Sequence, residues 1–182
     1  NDAGDPNSKL GSVVSLVKKL RGDYSSSNPS KGYFNYKRPF RWSPAATVIP
    51  TLVPAIKDDP TTDGGYPSGH TNAAYLSAIA MAYAYPERYQ ELLTRASELG
   101  NDRIIAGMHS PFDVIGGRVM ATALSAAILN DPDNQALKKQ AYTQAQQVLK
   151  DQKGTATDRF RNYATNKQAY TERLTYGFPQ IA

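Results

Sequence analysis

The stretch GHTNAAYLSAIAMAYAY, residues 69–85, predicts the central element of the fold. Its apolar side chains fall on nearly every side of an α-helix, which is typical of a helix that is buried all round. Pro86 predicts the end of this helix and the start of another, which has one apolar face and a predicted break at Gly100. The stretch therefore favours a core made of packed helices.

A second buried helix is predicted over residues 110–130. Ser110 is a good N-cap, and Pro111 is a good first helical residue. Gly116 and Gly117 lower the helix propensity, so their presence indicates close helix packing. The residues predicted to supply its core are Val114, Ile115, Val119, Met120, Leu124, Ile128 and Leu129.

The rest of the chain predicts further helices and one long irregular segment. Residues 8–21 have the apolar stripe of an amphipathic helix, whereas the Pro- and Gly-rich segment 22–67 is expected to be mostly irregular. Asp131-Pro132 predicts the start of another helix, and residues 155–176 are predicted to be helical in one or two pieces. No strand-like alternation of any length occurs. Residues 1–182 are therefore predicted to form a single all-α domain, a helical bundle with two buried central helices.

The composition excludes several classes of function. The chain has 182 residues, no cysteine and a formal net charge of +5. The absence of cysteine excludes disulfides, thiolate-bound metals and a cysteine nucleophile. The charge suits an anionic substrate, but there is no dense Lys/Arg run or nucleic-acid-binding motif, so no nucleic-acid partner is expected. No run of about 18 uninterrupted apolar residues occurs, so no transmembrane segment is predicted, and no secretory signal is visible.

The only two histidines, His70 and His109, each stand at the start of a predicted buried helix. Helix starts carry free backbone N–H groups and the positive end of the helix dipole, so they bind anions. Ser68 and Gly69 come just before His70 and add a hydroxyl and a backbone that a phosphate oxygen can approach closely. If both helix starts face one pocket, that pocket holds two imidazoles beside a set of N–H donors.

Charged residues near the histidines complete a candidate phosphoryl-transfer site without a metal. Lys31, Arg38 and Arg103 are candidates for neutralising phosphate oxygens, since guanidinium groups match two oxygens at once and lysine supplies a point charge. Asp113 follows His109 by four residues, so it can accept from one ring nitrogen and make the other more nucleophilic. As the third residue of its helix, it also suits a capping role.

The order and spacing of these residues resemble a known family signature. The three parts, in chain order, are Lys31-x6-Arg38-Pro39, Pro67-Ser68-Gly69-His70 and Arg103-x5-His109-x3-Asp113. Together they resemble the signature of the type 2 phosphatidic acid phosphatase (PAP2) superfamily. That superfamily includes the soluble bacterial class A acid phosphatases and the vanadium-dependent haloperoxidases. The resemblance covers residues 31–113 and extends over the next helix, giving a motif core of 31–130.

The resemblance implies an all-α bundle, a phosphohistidine intermediate and no metal or other cofactor. By matching position, His109 would be the nucleophile, Asp113 its partner and His70 the general acid and base. The resemblance also implies a periplasmic or secreted location. The residues that would bind phosphate are Lys31, Arg38, Ser68, Gly69 and Arg103.

The sequence departs from the family pattern at one position. The family has serine before the arginine of its third part, whereas this chain has Asp102. A carboxylate there could weaken anion binding or reposition Arg103, or it could point away and pair with a neighbouring cation. Among the other residues, Asp58, Asp59 and Asp63 are interpreted as a solvated turn, and Tyr66 is expected to line the pocket.

The sequence thus predicts a phosphoric monoester hydrolase of the acid phosphatase type, inhibited by vanadate, that acts on small phosphate monoesters. Lipid phosphate headgroups are a further candidate substrate. Two alternatives stay open: a haloperoxidase that holds vanadate on His109, and a phospholigand-binding module without turnover. The natural substrate, the oligomeric state and any processing of the chain do not follow from the sequence.

Overall fold

A computed structural model describes residues 4–152, 157–158 and 160–180 of the chain. The described part is helical, and the one extended pairing in it is an isolated antiparallel bridge between Lys37 and Gly64. The predicted all-α class is confirmed. The helices are α1 (Gly11–Leu20), α2 (Asn28–Phe34), α3 (Gly69–Ala84), α4 (Tyr89–Ile105), α5 (Pro111–Asn130), α6 (Gln135–Leu149) and α7 (Tyr163–Thr175).

Helix α3 lies at the centre and packs against α1, α4, α5 and α6. Its small residues let these neighbours approach closely on several sides, as at Ala80 and Ala84, which are fully buried. Leu16 and Leu20 of α1 and Leu76 of α3 are also buried in this core. The prediction of a helix buried on most of its sides is confirmed for α3.

Helix α5 differs from its prediction because only one of its faces is buried. That face carries Val114, Gly117, Ala121 and Ser125, whereas Val119, predicted to lie in the core, is 57% exposed. By length and composition α5 is the one helix of the described residues that could cross a membrane, and the core helix of a soluble protein passes the same test. The predicted absence of a transmembrane segment stays a prediction.

The predicted break at Gly100 is wrong, since α4 continues through this residue to Ile105. A Cβ atom at position 100 would lie 3.0 Å from the Val114 side chain and 3.1 Å from the Thr71 side chain. The glycine therefore serves the close packing of α4 on α3 and α5, and this packing outweighs its poor helix propensity.

The connections between helices match their predictions in outline. The segment 22–67 is mostly irregular, with α2 and short 3-10 turns at 23–25, 39–41, 50–55 and 60–62. In the tail, α7 falls within the predicted helical region, while residues 153–156 and 159 lie outside the described residues.

Candidate active site

The starts of α3 and α5 meet, and a backbone hydrogen bond joins them. The Ser68 N–H donates to the Asp113 carbonyl at 2.9 Å. Ser68 caps α3 by accepting from the Thr71 N–H, and Ser110 caps α5 by accepting from the Asp113 N–H. The residues that precede and open both helices are thereby brought to one place, which is the condition for a pocket that both helix starts share.

Two glycines of α5 allow this approach. A Cβ at position 117 would lie 2.5 Å from the Ser68 carbonyl oxygen, and a Cβ at position 116 would lie 2.2 Å from the Tyr66 ring. Both distances are shorter than any real Cβ contact, so only glycine fits here. The predicted close packing therefore involves the turn that carries His70 as well as the helix behind it.

His109 is buried beside Asp113. Its ring nitrogen Nδ1 lies 3.4 Å from Asp113 Oδ2, and their side chains are 2% and 0% exposed. The same Oδ2 accepts the Ser110 N–H at 2.8 Å, which completes the capping box. At 3.4 Å the contact with the ring is long for a hydrogen bond, so the attraction is mainly electrostatic. Asp113 thus faces the histidine and caps the helix at once.

The other ring nitrogen of His109 faces Arg38. Nε2 lies 3.2 Å from Arg38 Nη1. A guanidinium has only donors, so Nε2 must be the acceptor and the proton of the neutral ring must sit on Nδ1, facing Asp113. The arrangement therefore selects the tautomer whose Nε2 lone pair points into the cluster of cations.

Burial decides the protonation of His109. Desolvation lowers its pKa to about 4, helped by the positive charge of Arg38, while the nearby Asp113 acts in the opposite direction. The imidazole is consequently neutral at mildly acidic and neutral pH, which is the state in which Nε2 can act as a nucleophile.

Lys31, Arg38 and Arg103 converge on this point with few counter-charges. Lys31 Nζ donates to the carbonyls of Gly64 and Gly65 at 2.5 and 3.3 Å, and burial, with the charge of Arg38, lowers its pKa to about 8. Burial and Arg38 also lower the pKa of Arg103. The buried Nε of Arg103 has no hydrogen-bond partner among the described residues.

His70 lies at the exposed end of the same cluster. Partial burial lowers its pKa, and so do the charges of Arg103, Arg38 and Lys31. These are the same three cations that the sequence singled out. The structure therefore places all three near both histidines.

The Ser68 hydroxyl lies in the cap of α3. The side chain is fully buried, and its oxygen accepts from Thr71 Oγ1 at 2.9 Å and from the Thr71 N–H at 3.3 Å. Both bonds use the hydroxyl oxygen as an acceptor, and its own proton is left to donate. Phosphate binding by Ser68 and Gly69 remains a prediction.

Asp63 is a residue of the site that the sequence did not reveal. The predicted solvated turn holds for Asp58 and Asp59, which are exposed, but is wrong for Asp63, which is 2% exposed. Its carboxylate accepts from Arg38 Nε at 2.6 Å and from Arg41 Nη2 at 3.0 Å. Arg38 Nη1 also donates to the Met108 carbonyl at 2.9 Å. Asp63 therefore holds the arginine that faces His109.

Asp102, the departure from the family pattern, is exposed. Within the described part of the chain, no cation lies within 4 Å of its carboxylate, and its charge acts on Arg103 from a distance, raising the pKa that burial lowers. The structure thus favours the alternative in which this side chain points away, without the predicted ion pair.

Tyr66 joins an aromatic group at the edge of the site. Its ring stacks on Phe112 with centroids 4.9 Å apart and meets the Phe34 ring edge-on at the same distance. Each of these rings is close in sequence to a site residue, since Phe112 precedes Asp113 and Phe34 follows Lys31 by one helical turn. That Tyr66 lines the pocket stays a prediction.

No group of three or more His, Asp or Glu side chains within residues 4–152, 157–158 and 160–180 could hold a metal ion. The charged side chains that converge on His109 are cations, apart from Asp113 and Asp63. The chemistry available is therefore that of a buried neutral imidazole, a second imidazole and positive charges that suit an anion.

The fold and the site together define an all-α protein in which two histidines and three cationic side chains converge. The sequence profile of the PAP2 superfamily matches residues 13–136. The chain belongs to the PAP2 superfamily, as its three-part signature indicated.

Three bacterial proteins named as acid phosphatases are similar to this chain. The acid phosphatase of Zymomonas mobilis is 32% identical over 126 residues, which are 69% of this chain and 46% of that protein. The non-specific acid phosphatase of Salmonella typhi is 36% identical over 111 residues, 61% of this chain and 43% of that protein. That of Providencia stuartii is 32% identical over 114 residues, 63% and 44% of the two chains. The match spans less than half the length of each relative.

Proposed function

We propose that this protein hydrolyses phosphate monoesters through a phosphohistidine on His109. The observation that carries the proposal is the position of His109 Nε2, which lies 3.2 Å from Arg38 while Nδ1 faces Asp113. This geometry supplies a neutral nucleophile beside the cations that would bind the phosphate it attacks. The names of the similar bacterial proteins support phosphatase activity, the coarser part of this proposal.

The phosphoryl group binds among Lys31, Arg38 and Arg103. A phosphate oxygen takes over the Arg38 Nη1 donor, because a charged oxygen is a stronger acceptor than an imidazole nitrogen. The Nε2 lone pair is released by this exchange and then faces the phosphorus. Binding and activation of the nucleophile are thus one event, and the positive charges offset the charge that develops in the transition state.

The reaction runs in two displacements. Nε2 forms a bond to phosphorus while the bond from phosphorus to the alcohol oxygen breaks, and His70 gives its proton to that oxygen. Neutral His70 then takes a proton from water, whose oxygen attacks phosphorus as the P–N bond breaks. Inorganic phosphate leaves, and both histidines return to their starting states. Asp113 stabilises the imidazolium that carries the phosphoryl group.

Metal independence, vanadate inhibition and location belong to the same proposal. The cations perform the charge neutralisation that metal ions supply in other phosphatases, and vanadate binds as an analogue of the five-coordinate state. Small phosphate monoesters are the proposed substrates, with lipid phosphates as a further group. The bacterial relatives support a periplasmic or secreted location.

Hydrolysis of p-nitrophenyl phosphate with a chelator present tests the proposal. The wild type should turn over, and His109→Ala should lose turnover by at least about a thousandfold. The matched control is the only other histidine variant, His70→Ala. It should still release about one equivalent of p-nitrophenol in a burst, since this leaving group departs without a proton, and then turn over slowly.

The outcomes separate the roles of the two histidines. Turnover that survives in His109→Ala would contradict the assignment of the nucleophile. Turnover that a chelator abolishes and Mg²⁺ restores would contradict metal independence. Phosphate binding without any turnover in the wild type would indicate a binding module.

A further inference from the structure

An apolar groove lies along α1, at the end of α3 that is opposite His70. Two cavities form this groove, with volumes of about 330 and 700 Å³, and they meet at Leu10, Val13 and Met81. Met81 lies about 16 Å beyond His70 along the axis of α3. The groove is therefore separate from the candidate active site, and the proposed reaction does not use it.

The groove exists because α1 has two apolar sides. Leu16 and Leu20 lie on one side and are fully buried in the core. Leu10, the N-cap residue, follows the spacing of one helix face with Val14 and Val17, and these three line the groove while only partly buried. One apolar side is enough to hold a helix on a core. The second side therefore leaves contiguous apolar surface, which is typical of a binding site.

The charges at the rim of the groove are positive. Lys9, Lys18 and Arg21 line the larger cavity, and no acidic side chain of the described residues lines either cavity. Within the described part of the chain, no carboxylate lies within 4 Å of these three cations. Arg88, in the smaller cavity, is paired with Glu91 at 3.1 Å. Charge complementarity therefore favours a ligand whose anionic group binds at the larger cavity.

The size and lining of the groove are those of a small-molecule site. Such sites have volumes of about 300–1,000 Å³, mostly apolar walls and a few polar groups. From Leu10 to Arg21 the groove follows α1 for about 16 Å, a path that one extended hydrocarbon chain can take. An anionic group at the end of that chain would stand beside Lys18 and Arg21, which are neighbours one helical turn apart.

We propose that this groove binds a single-chain anionic amphiphile of the fatty acid class. The hydrocarbon chain lies along Leu10, Val14 and Val17, and the carboxylate stands beside Lys18 and Arg21. The carboxylate stays hydrated at the rim, so binding does not require a buried charge. This second ligand site does not depend on the proposed phosphatase function.

Binding of free amphiphiles, measured by titration calorimetry below their micelle concentrations, tests the groove. Octanoate, decanoate and laurate should bind with increasing affinity, by about tenfold for each added pair of methylene groups while the groove has room. Dodecyltrimethylammonium has a tail of the same length and the opposite charge. It should bind at least about fivefold more weakly than laurate, because it meets cations at the rim.

Two variants test the two parts of the site. Lys18→Glu, a surface exchange, should weaken laurate by about three- to fivefold. Val14→Asp places a charge in the apolar wall and should weaken it by more than about tenfold. Lys19→Glu is the matched control, because Lys19 belongs to the same last turn of α1 but lines neither cavity. It has the same effect on the helix dipole and should leave laurate binding within about twofold of the wild type.

Several outcomes would overturn the proposal. Wild-type protein that does not bind laurate would refute it, and equal affinities for laurate and dodecyltrimethylammonium would show an apolar surface without charge selection. Equal losses in Lys18→Glu and Lys19→Glu would show that the carboxylate is not held at the rim. Sedimentation with phosphatidylglycerol vesicles without binding of free laurate would assign the groove to a membrane surface. A dimer that Val14→Asp dissociates would assign it to a second copy of the chain.

Discussion

Arg38 is the residue on which most of the site geometry depends. It donates to Asp63 and to the Met108 carbonyl, and it faces His109 Nε2. A guanidinium fixed at three points in a planar fork has little freedom left. The position of the Arg38 guanidinium in the proposed phosphate site therefore depends on Asp63. This buried acid touches no substrate atom in the proposed reaction.

Asp63→Asn should release Arg38 while keeping the shape of the side chain. We expect kcat/KM for p-nitrophenyl phosphate to fall by about a hundredfold, since small misplacements near the reacting atoms cost that much. The inhibition constant of inorganic phosphate should rise with it, which a purely structural role would not cause. Stability should fall by about 3 kcal/mol, because two arginines lose a buried partner.

Two further variants complete this test. Asp63→Glu should restore part of the phosphate affinity, and exposed Asp58→Asn should match the wild type in both measurements. Unchanged phosphate inhibition in Asp63→Asn would show that Arg38 keeps its place without the carboxylate.

The pH dependence of kcat/KM should be bell-shaped with an acidic optimum. His109 must be neutral, so activity falls as the pH drops through its lowered pKa of about 4. His70 must be protonated, and because its pKa is lowered from 6.5, activity falls again before neutral pH is reached. The measurement is kcat/KM for an alkyl phosphate such as β-glycerophosphate across the acidic range, because an alkoxide, unlike p-nitrophenolate, needs a proton in order to leave.

The variant His70→Ala distinguishes the titration of an enzyme group from the titration of the substrate in this pH profile. The variant should lose the limb that falls toward neutral pH, whereas the titration of the substrate phosphate appears in both proteins. A wild-type profile that stays flat into the alkaline range would refute the assignment of His70 as the acid.

At the scale of elements, the meeting of α3 and α5 is set by small residues. Gly117 lets the Ser68 carbonyl approach, and Gly100 lets α4 pack against α3. In an isolated helix, alanine at either position would be the better residue. The two glycines therefore lower the helix propensity of α5 and α4, but they allow the close packing that sets the position of the helix starts.

Gly117→Ala should reverse the usual stabilising effect of alanine in a helix. The added methyl group would meet the Ser68 carbonyl, so we expect a loss of about 1–3 kcal/mol from overpacking. Activity should fall in the protein that remains folded, because the turn before His70 is displaced. Urea unfolding and kcat measure the two effects.

Gly32→Ala is the control for this substitution. Position 32 lies in α2, and nothing lies within 4 Å of a Cβ there. Its stability should stay level or rise by up to about 1 kcal/mol. Equal stability of Gly117→Ala and the wild type would mean that the two helices can separate without cost.

The sequence predicts features with local causes better than those with distant ones. The starts of α3 and α5 follow from Ser68, Ser110 and Pro111, which act within their own first turn. The burial of Asp63 depends on Arg38 and Arg41, more than twenty residues earlier, and no local pattern marks it. The continuation of α4 through Gly100 likewise depends on side chains of other helices, and so does the exposure of Val119.

At the scale of the whole molecule, the positive charges of the site repel one another and lower the stability of the folded protein. Burial and neighbouring cations lower the pKa values of Lys31, His70 and Arg103, so each positive charge is held at a cost to the folded state. An anion that binds the folded protein removes this cost. The stability of the whole bundle should therefore depend on the anion in the buffer.

Orthovanadate should raise the thermal midpoint of the protein. At a hundredfold excess over its Kd the gain is about 2.7 kcal/mol, or roughly 5–10 °C for a domain of this size. His109→Ala should lose most of the vanadate effect, because the bond from Nε2 is missing, and should keep the smaller shift with phosphate. Equal shifts with chloride at the same ionic strength would contradict specific binding.

The bond from the Ser68 N–H to the Asp113 carbonyl has a consequence for how such a protein can diversify. It joins two main-chain groups, so no exchange at either position except proline at 68, which lacks the N–H, can delete it. Variation can therefore accumulate in the side chains around the two helix starts while the two histidines keep their spacing.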